Sequence, residues 1–205
     1  MVGWADRNPT VFWRGSTTGQ RRHAPPGPDA ANDDFRWLPR LDLCHRARKS
    51  SQAARYDVGI ASIVRIPEPY LRSRIELSGL CTPRVTREAF LNRKAILVID
   101  GNSNAWSALF NALLTGACVL KVDSPRQYKQ WYYDDLTPWL HFVPVKEDLS
   151  DLEEKVSWVF DHDAAAGDIG AAGKAFADAM TLEKALVDCA AKLRQWIPAR
   201  ELNLG

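Results

Sequence analysis

The sequence predicts an α/β protein built on a parallel, Rossmann-like sheet covered by helices on both faces. Three observations lead there. Short runs of aliphatic and β-branched residues alternate with stretches whose apolar residues recur every three or four positions, the alternation of a βαβ chain. Several of the short runs end in Gly, Asn, Ser or Thr, the chemistry of a strand-to-loop junction. With 205 residues, 46% hydrophobic and 25% charged, the chain can fill a sizeable core in one large domain or two small ones.

The elements follow in order. Residues Thr10 to Trp13 form a β-prone run that ends at Arg14-Gly15-Ser16-Thr17-Thr18-Gly19. The Ala-Pro-Pro-Gly-Pro-Asp stretch at 24–29 is a surface loop. From Asp34 to about Ser50, Phe35, Leu38, Leu41 and Leu43 give a helical pattern with Pro39 near its start. Residues 56–61 make a second short strand, and 64–90, with three prolines and no clear period, read as irregular with short helices. Lys94 to Asp100 is a buried strand. Trp106, Leu109, Phe110, Leu113 and Leu114 share one face of the helix that follows, and Gly116 caps it. Residues 117–122 are the next strand, 128–136 a helix that ends before Pro138, and 141–145 a short strand. Ser150 and Glu153 have capping-box spacing at the start of a helix that buries Leu149, Leu152, Val156 and Val159. An Ala/Gly-rich helix runs from about Ala164 to Met180. A last helix is expected to bury Leu182, Leu186, Cys189, Leu193 and Trp196.

Several function classes recede on composition. A formal net charge of +2 is too small to point to nucleic acid or to an acidic membrane surface. Basic residues gather at Arg21-Arg22, Arg46-Arg48-Lys49 and Arg84-Arg87, and the last two groups read as solvated faces. No run approaches the ~20 apolar residues of a transmembrane helix. The residues Met1 to Arg7 lack the basic-then-apolar layout of a signal peptide. Cys44, Cys81, Cys118 and Cys189 form no CxxC pair, which favours a reduced, cytoplasmic compartment, including one peripheral to the inner membrane. His23, His45, His141 and His162 have no metal-ligand spacing.

The loop after the strand at 94–100 carries the clearest chemical signal. Asp100-Gly101-Asn102-Ser103-Asn104 follows a buried strand and precedes an amphipathic stretch. In a parallel sheet the crevice outside the carboxyl ends of the strands is where ligands bind. Backbone N–H groups at such a junction suit phosphates. The Arg14–Gly19 junction has the same character. A guanidinium there can hold two phosphate oxygens at once, and the Ser and Thr hydroxyls can donate to phosphate or sugar.

Three segments resemble glycosyltransferase family 90, which includes capsule-associated proteins, protein O-glucosyltransferases and lipopolysaccharide-modifying enzymes. They are Val11-Phe12-Trp13-Arg14-Gly15-Ser16-Thr17-Thr18-Gly19, then Ile99-Asp100-Gly101-Asn102 with Trp106-Ser107 and Gly116. The third and most specific is Leu136-Thr137-Pro138-Trp139-Leu140-His141-Phe142-Val143-Pro144-Val145, followed by Asp148-Leu149-Ser150-Asp151-Leu152. The resemblance spans about residues 10–197.

The resemblance implies the second, donor-binding half of a B-type fold with two facing Rossmann-like domains, covering residues 1–205. It implies inverting, metal-independent transfer of a hexose or pentose from a UDP-sugar, with no cofactor beyond that donor, to a hydroxyl of a glycan, lipopolysaccharide or protein. The donor-binding residues it implies are Arg14, Gly15, Ser16, Thr17, Thr18 and Arg21, then Gly101, Asn102, Ser103 and Asn104, and finally Ser107, Gln130 and His141. Ser107 stands where members close to the protein O-glucosyltransferases carry arginine, and Gln130 where they carry glutamate. The family's catalytic base is an aspartate of the first half, which precedes the Arg-Gly-Ser segment by a whole domain. Only 13 residues precede Arg14 here. No aspartate of this chain is therefore expected to be the base, and a separate N-terminal domain or chain is an expected partner. The rival expectation is a truncated, non-catalytic nucleotide-binding or interaction module.

Overall fold

The computed structural model describes residues 2–30 and 34–196, with side chains up to Arg194. Five parallel strands form its sheet: β1 (Asn8–Ser16), β2 (Tyr56–Ser62), β3 (Arg93–Val98), β4 (Cys118–Val122) and β5 (Val143–Val145), in the order β2-β1-β3-β4-β5. Val11 pairs with Tyr56 on one side and Ala95 on the other; Ala95 pairs with Cys118, and Leu120 with Val143. The helices are α1 (Pro39–Lys49), α2 (Pro69–Leu77), α3 (Ala108–Leu114), α4 (Leu152–Asp161), α5 (Asp163–Asp178) and α6 (Leu182–Trp196).

Alternation along the strands assigns the two faces. Val11, Trp13, Leu97, Ile99, Leu120 and Val122 meet α1, α2, α4 and the start of α5 in one core. Ile96, Val98 and Val119 meet α3, Tyr132, Phe142 and the end of α5 in the other. This is the expected α/β, Rossmann-like sheet with both faces covered.

Close backbone packing fixes α5 on the sheet. A Cβ on Gly170 would lie 2.6 Å from the Gly116 carbonyl oxygen, and one on Gly173 would lie 2.8 Å from that of His141. Neither neighbour is a movable side-chain tip, so Gly170→Ala is expected to destabilise by about 1–3 kcal/mol in urea unfolding, the range for overpacking. An unchanged midpoint would mean that α5 shifts freely. Gly116 itself ends α3 in the left-handed region, φ 71°, with its N–H on the Leu113 carbonyl.

The structure departs from the sequence reading in four places. Residues 34–38 form turns and α1 starts at Pro39, because Pro fits the first helical turn but blocks what precedes it. Part of the 64–90 segment folds as the nine-residue α2, one of the short helices expected there. Residues 128–136 hold only a short 3-10 turn at Tyr133–Asp135; the three adjacent aromatics there pack in different directions. Trp106 is not on the α3 face: it sits before the helix at φ 50° and is 74% exposed. The capping box does not form, because Glu153 accepts hydrogen bonds from Ser50 and Ser51.

The last helix departs most. Leu182 is 76% exposed, and Leu186 and Leu193 are also exposed, with Cys189 half-buried. The stripe has helical spacing but stays largely exposed: Leu182 borders a groove with Phe110 and Trp131, and the helix is tied there through Lys192 to the Trp131 carbonyl. The Trp196 side chain lies outside them.

Candidate functional site

The chain reverses direction across the sheet between β1 and β3. β1 leads outward to β2, and β3 then pairs with the other side of β1. A crevice opens at the carboxyl ends of the strands at such a switch point, and the loops after β1 and β3 face each other across it. The Gly19 N–H donates to Asn102 Oδ1 at 3.1 Å, and Gln20 Nε2 donates to the Asn102 carbonyl at 3.3 Å.

Arg40, near the start of α1, ties the two loops from below. Its Nε donates to the Asp100 carbonyl at 3.0 Å and Nη2 to the Ile99 carbonyl at 3.0 Å. Nη1 reaches Thr18 Oγ1 at 2.5 Å and the Ser16 carbonyl at 3.3 Å. Burial pulls the Arg40 pKa down to about 10, still far above neutrality, so the side chain stays cationic. Burial also pushes the Asp100 carboxyl up, against the pull of Ser124, Lys121 and Arg40, and its Oδ2 has no hydrogen-bond partner.

The cleft between these loops has a volume of about 730 Å³. Arg21, Gly101 and Ser103 line it, together with the loop after β4 at Asp123, Ser124, Pro125, Arg126 and Tyr128. Its far wall is a cluster of charges. Asp42, only 1% exposed, accepts from Arg22 Nη1 at 2.7 Å and from Arg46 Nε at 2.9 Å. Arg22 also donates to the Glu147 carbonyl. Arg21 grips both Glu68 oxygens at 3.0 Å and lies over the Trp37 ring. Arg36 holds the Asp34 carboxyl down at about 2. Arg126 differs from all of these. Among the described residues it has no ion-pair or hydrogen-bond partner, and it stands exposed at the mouth of the cleft.

The structure gathers some of the expected site residues and separates others. Arg21, Gly101 and Ser103 face the cleft, and Asn102 bridges its two lips. Thr18 is held by Arg40, and Ser16 shares a hydrogen bond with Thr18. The Thr17 hydroxyl is buried, donating to the Val64 carbonyl and accepting from its N–H, which locks the β1 loop to the segment after β2. Gly15 lies against the Trp13 indole, where a Cβ would clash. Arg14 lies away from the cleft, on the α3 face of the sheet, where its guanidinium engages the Asp57 carboxylate and the Trp13 and Asp57 carbonyls. Asn104 Oδ1 accepts from the Trp106 N–H and from Gln130 Nε2, both at 2.9 Å. Ser107 and Gln130 open onto a separate apolar groove beside Trp106 and Trp131. His141 precedes β5, at the opposite edge of the sheet. Its Nδ1 accepts the Thr137 N–H at 2.9 Å, and burial lowers its pKa.

Arg40, Asp42, Ser124, Arg126 and Tyr128 are not among the residues that sequence reading selects. For Ser124 and Arg126 a signal exists, since Asp123-Ser124-Pro125-Arg126 is a polar strand-to-loop junction like the two already recognised. For Arg40 and Asp42 none does, because a helical arginine and aspartate look alike whether buried or solvated.

The family model described as Glycosyl transferase family 90 matches residues 40–193. Protein O-glucosyltransferase 2 of Danio rerio is 33% identical over 175 residues, which are 85% of this chain and 29% of that protein. Uncharacterized protein 027R of Frog virus 3 is 31% identical over 187 residues, 84% of this chain and 18% of that protein. Protein O-glucosyltransferase 3 of Homo sapiens is 39% identical over 88 residues, 43% of this chain and 17% of that protein. The chain thus spans less than a third of the length of each of these curated relatives.

Proposed function

The chain belongs to glycosyltransferase family 90, and from that premise we propose that it is the donor-binding half of an inverting, UDP-sugar-dependent glycosyltransferase. The sugar passes to a hydroxyl of a glycan, lipopolysaccharide or protein. A glucosyl donor is favoured by the names of the relatives. The single observation that carries the reading is Arg126, a guanidinium at the switch-point cleft, beside Gly101 and Ser103, with no ion-pair or hydrogen-bond partner among the described residues.

Inverting transfer leaves a nucleoside diphosphate as the departing group. Stabilising it is an electrostatic task, met by cations and N–H groups already placed where the charge develops. Arg126 can hold two phosphate oxygens at once, and Gly101 lets backbone N–H groups approach closely. Arg21 is engaged by Glu68 and adds positive potential at the same mouth. Asn102 keeps the two lips together through Gly19 and Gln20. The catalytic base is assigned to none of these residues; it belongs to the first domain implied by the family.

Arg126→Ala is expected to weaken UDP binding by about 1.5–3 kcal/mol, the worth of a charge-assisted hydrogen bond. Calorimetry would read this as a Kd raised roughly 10- to 150-fold. The residue is exposed, so the fold should be unaffected. Amide hydrogen exchange tests the location. UDP should slow exchange in residues 99–105 and 123–128. Protection confined to the groove beside Trp106, or to the Arg14 side of the sheet, would overturn the assignment of the cleft.

A further inference from the structure

The helix α6 presents two sides. Ala185, Asp188, Cys189 and Lys192 are half-buried, and Lys192 reaches the Asp135 carboxylate at 3.6 Å and the Trp131 carbonyl. Beside them runs an apolar stripe of Leu182, Leu186 and Leu193, each at least 60% exposed. With Cys189 the stripe steps by four, three and four residues, the spacing of a coiled-coil seam. A single exposed leucine needs no explanation, but a row of them along one helix is the surface of an interaction. The row ends at a groove of about 380 Å³, where Leu182 and Ala185 join Trp106, Phe110, Trp131 and Met180. Trp106 projects there on a left-handed backbone, φ 50°, its N–H held by Asn104 Oδ1 at 2.9 Å. A bulky residue at positive φ is strained, and such strain persists where the surface it builds is used.

The charges along α6 identify what covers the stripe. Glu183 lies in the first turn and Arg194 in the last. They are about three turns apart, which puts them on the same edge of the seam. An antiparallel copy of the helix lays that edge against itself reversed. Glu183 of each copy then meets Arg194 of the other, and Leu182 meets Leu193 at the mouth of the groove. The two helix dipoles also oppose each other in this arrangement. A parallel copy leaves the two charges at opposite ends. Each protomer offers on the order of 400 Å² of apolar surface. The pair therefore falls in the class of weak, reversible interfaces, below about 1,200 Å² in total.

We propose that α6 pairs antiparallel with α6 of a second copy of this chain, burying the leucine stripe and seating Leu193 of each copy at the groove beside Trp106 of the other. The pairing is two-fold and isologous, so it closes at two chains. It stands independently of the nucleotide reading of the cleft.

Analytical ultracentrifugation of the chain over a concentration series, at low salt, tests the pairing. Between roughly 10 and 500 µM wild type is expected to pass from one chain per particle towards two. Leu186→Glu places a carboxylate in each half of the seam and should leave one chain per particle throughout. Leu186 is exposed, so far-UV circular dichroism of this variant should match wild type. Arg194→Glu sets two carboxylates against each other at both ends and should raise the dimer Kd about 10-fold. Adding Glu183→Arg to it restores the opposite charges and should recover most of the association. This charge pair reads the interface even if Leu186→Glu were to disturb the helix. Wild type that stays at one chain per particle up to 500 µM overturns the proposal, and the stripe then belongs to a different partner. A dimer indifferent to Leu186→Glu also overturns it, and a double swap no better than Arg194→Glu alone overturns the antiparallel pairing.

Discussion

Arg40→Met is expected to cost about 3–5 kcal/mol of folding stability. The guanidinium satisfies the carbonyls of Ser16, Ile99 and Asp100 and the Thr18 hydroxyl. Methionine fills much of the same space but donates nothing. Each carbonyl left buried without a donor costs about 1–3 kcal/mol, and three such groups set the total even if water reaches one of them. Against a typical stability of about 5–15 kcal/mol, the loss is severe. Arg40→Lys should retain part of the stability, since one ammonium reaches some but not all of these acceptors. It should still loosen the β1 and β3 loops and weaken UDP binding. Urea unfolding of both variants checks the expectation. A methionine variant as stable as wild type would show that the two loops hold together without Arg40.

Asp42→Ala is expected to destabilise by about 2–3 kcal/mol. The carboxylate is buried and anchors Arg22 and Arg46 in the cleft wall. Removing one partner of a fully buried pair costs about 3–5 kcal/mol, because the other charge is left in the interior. Here both arginines are partly exposed and can turn to water, which puts the loss below that range. Arg22 would then lose its anchor while keeping its bond to the Glu147 carbonyl, so the wall changes shape as well as charge. Thermal melts read the stability and UDP calorimetry reads the wall. A melt within about 0.5 kcal/mol of wild type, the range of an ordinary surface change, would mean that the cluster contributes little.

Most of the sheet was legible because its strands are buried on both faces and read as short aliphatic runs. β1, β2, β3 and β4 lie within a few residues of the expected runs, and Leu152, Val156 and Val159 of α4 are buried as expected, while Leu149 is buried ahead of the helix at φ 61°. Legibility failed where local pattern and tertiary packing diverge. Tyr128 to Leu136 has helical spacing, yet Trp131, Tyr132 and Tyr133 form successive edge-to-face contacts in a turn. Trp106 fits the periodicity of α3, but a left-handed backbone places it outside the helix. The stripe on α6 has the spacing of a buried face and remains exposed. At the site, loop chemistry points to Gly101–Asn104, of which Gly101 and Ser103 line the cleft and Asn102 bridges its lips. Arg14 illustrates the limit. Its place in a motif suggested a ligand, while Asp57, 43 residues away in sequence, engages it on the other side of the sheet. Such long-range partners leave no local signature, and the same holds for the partners of Arg40 and Asp42.

The central claim is that the switch-point cleft holds a uridine diphosphate group, and calorimetric titration of the purified chain with UDP, with GDP as control, tests it most directly. The account predicts saturable binding of UDP in preference to GDP, at one site per chain, weakened by Arg126→Ala. Equal binding of the two nucleotides, or binding indifferent to Arg126, would contradict it. Absence of binding to either would place the donor elsewhere and move the interaction-module reading ahead.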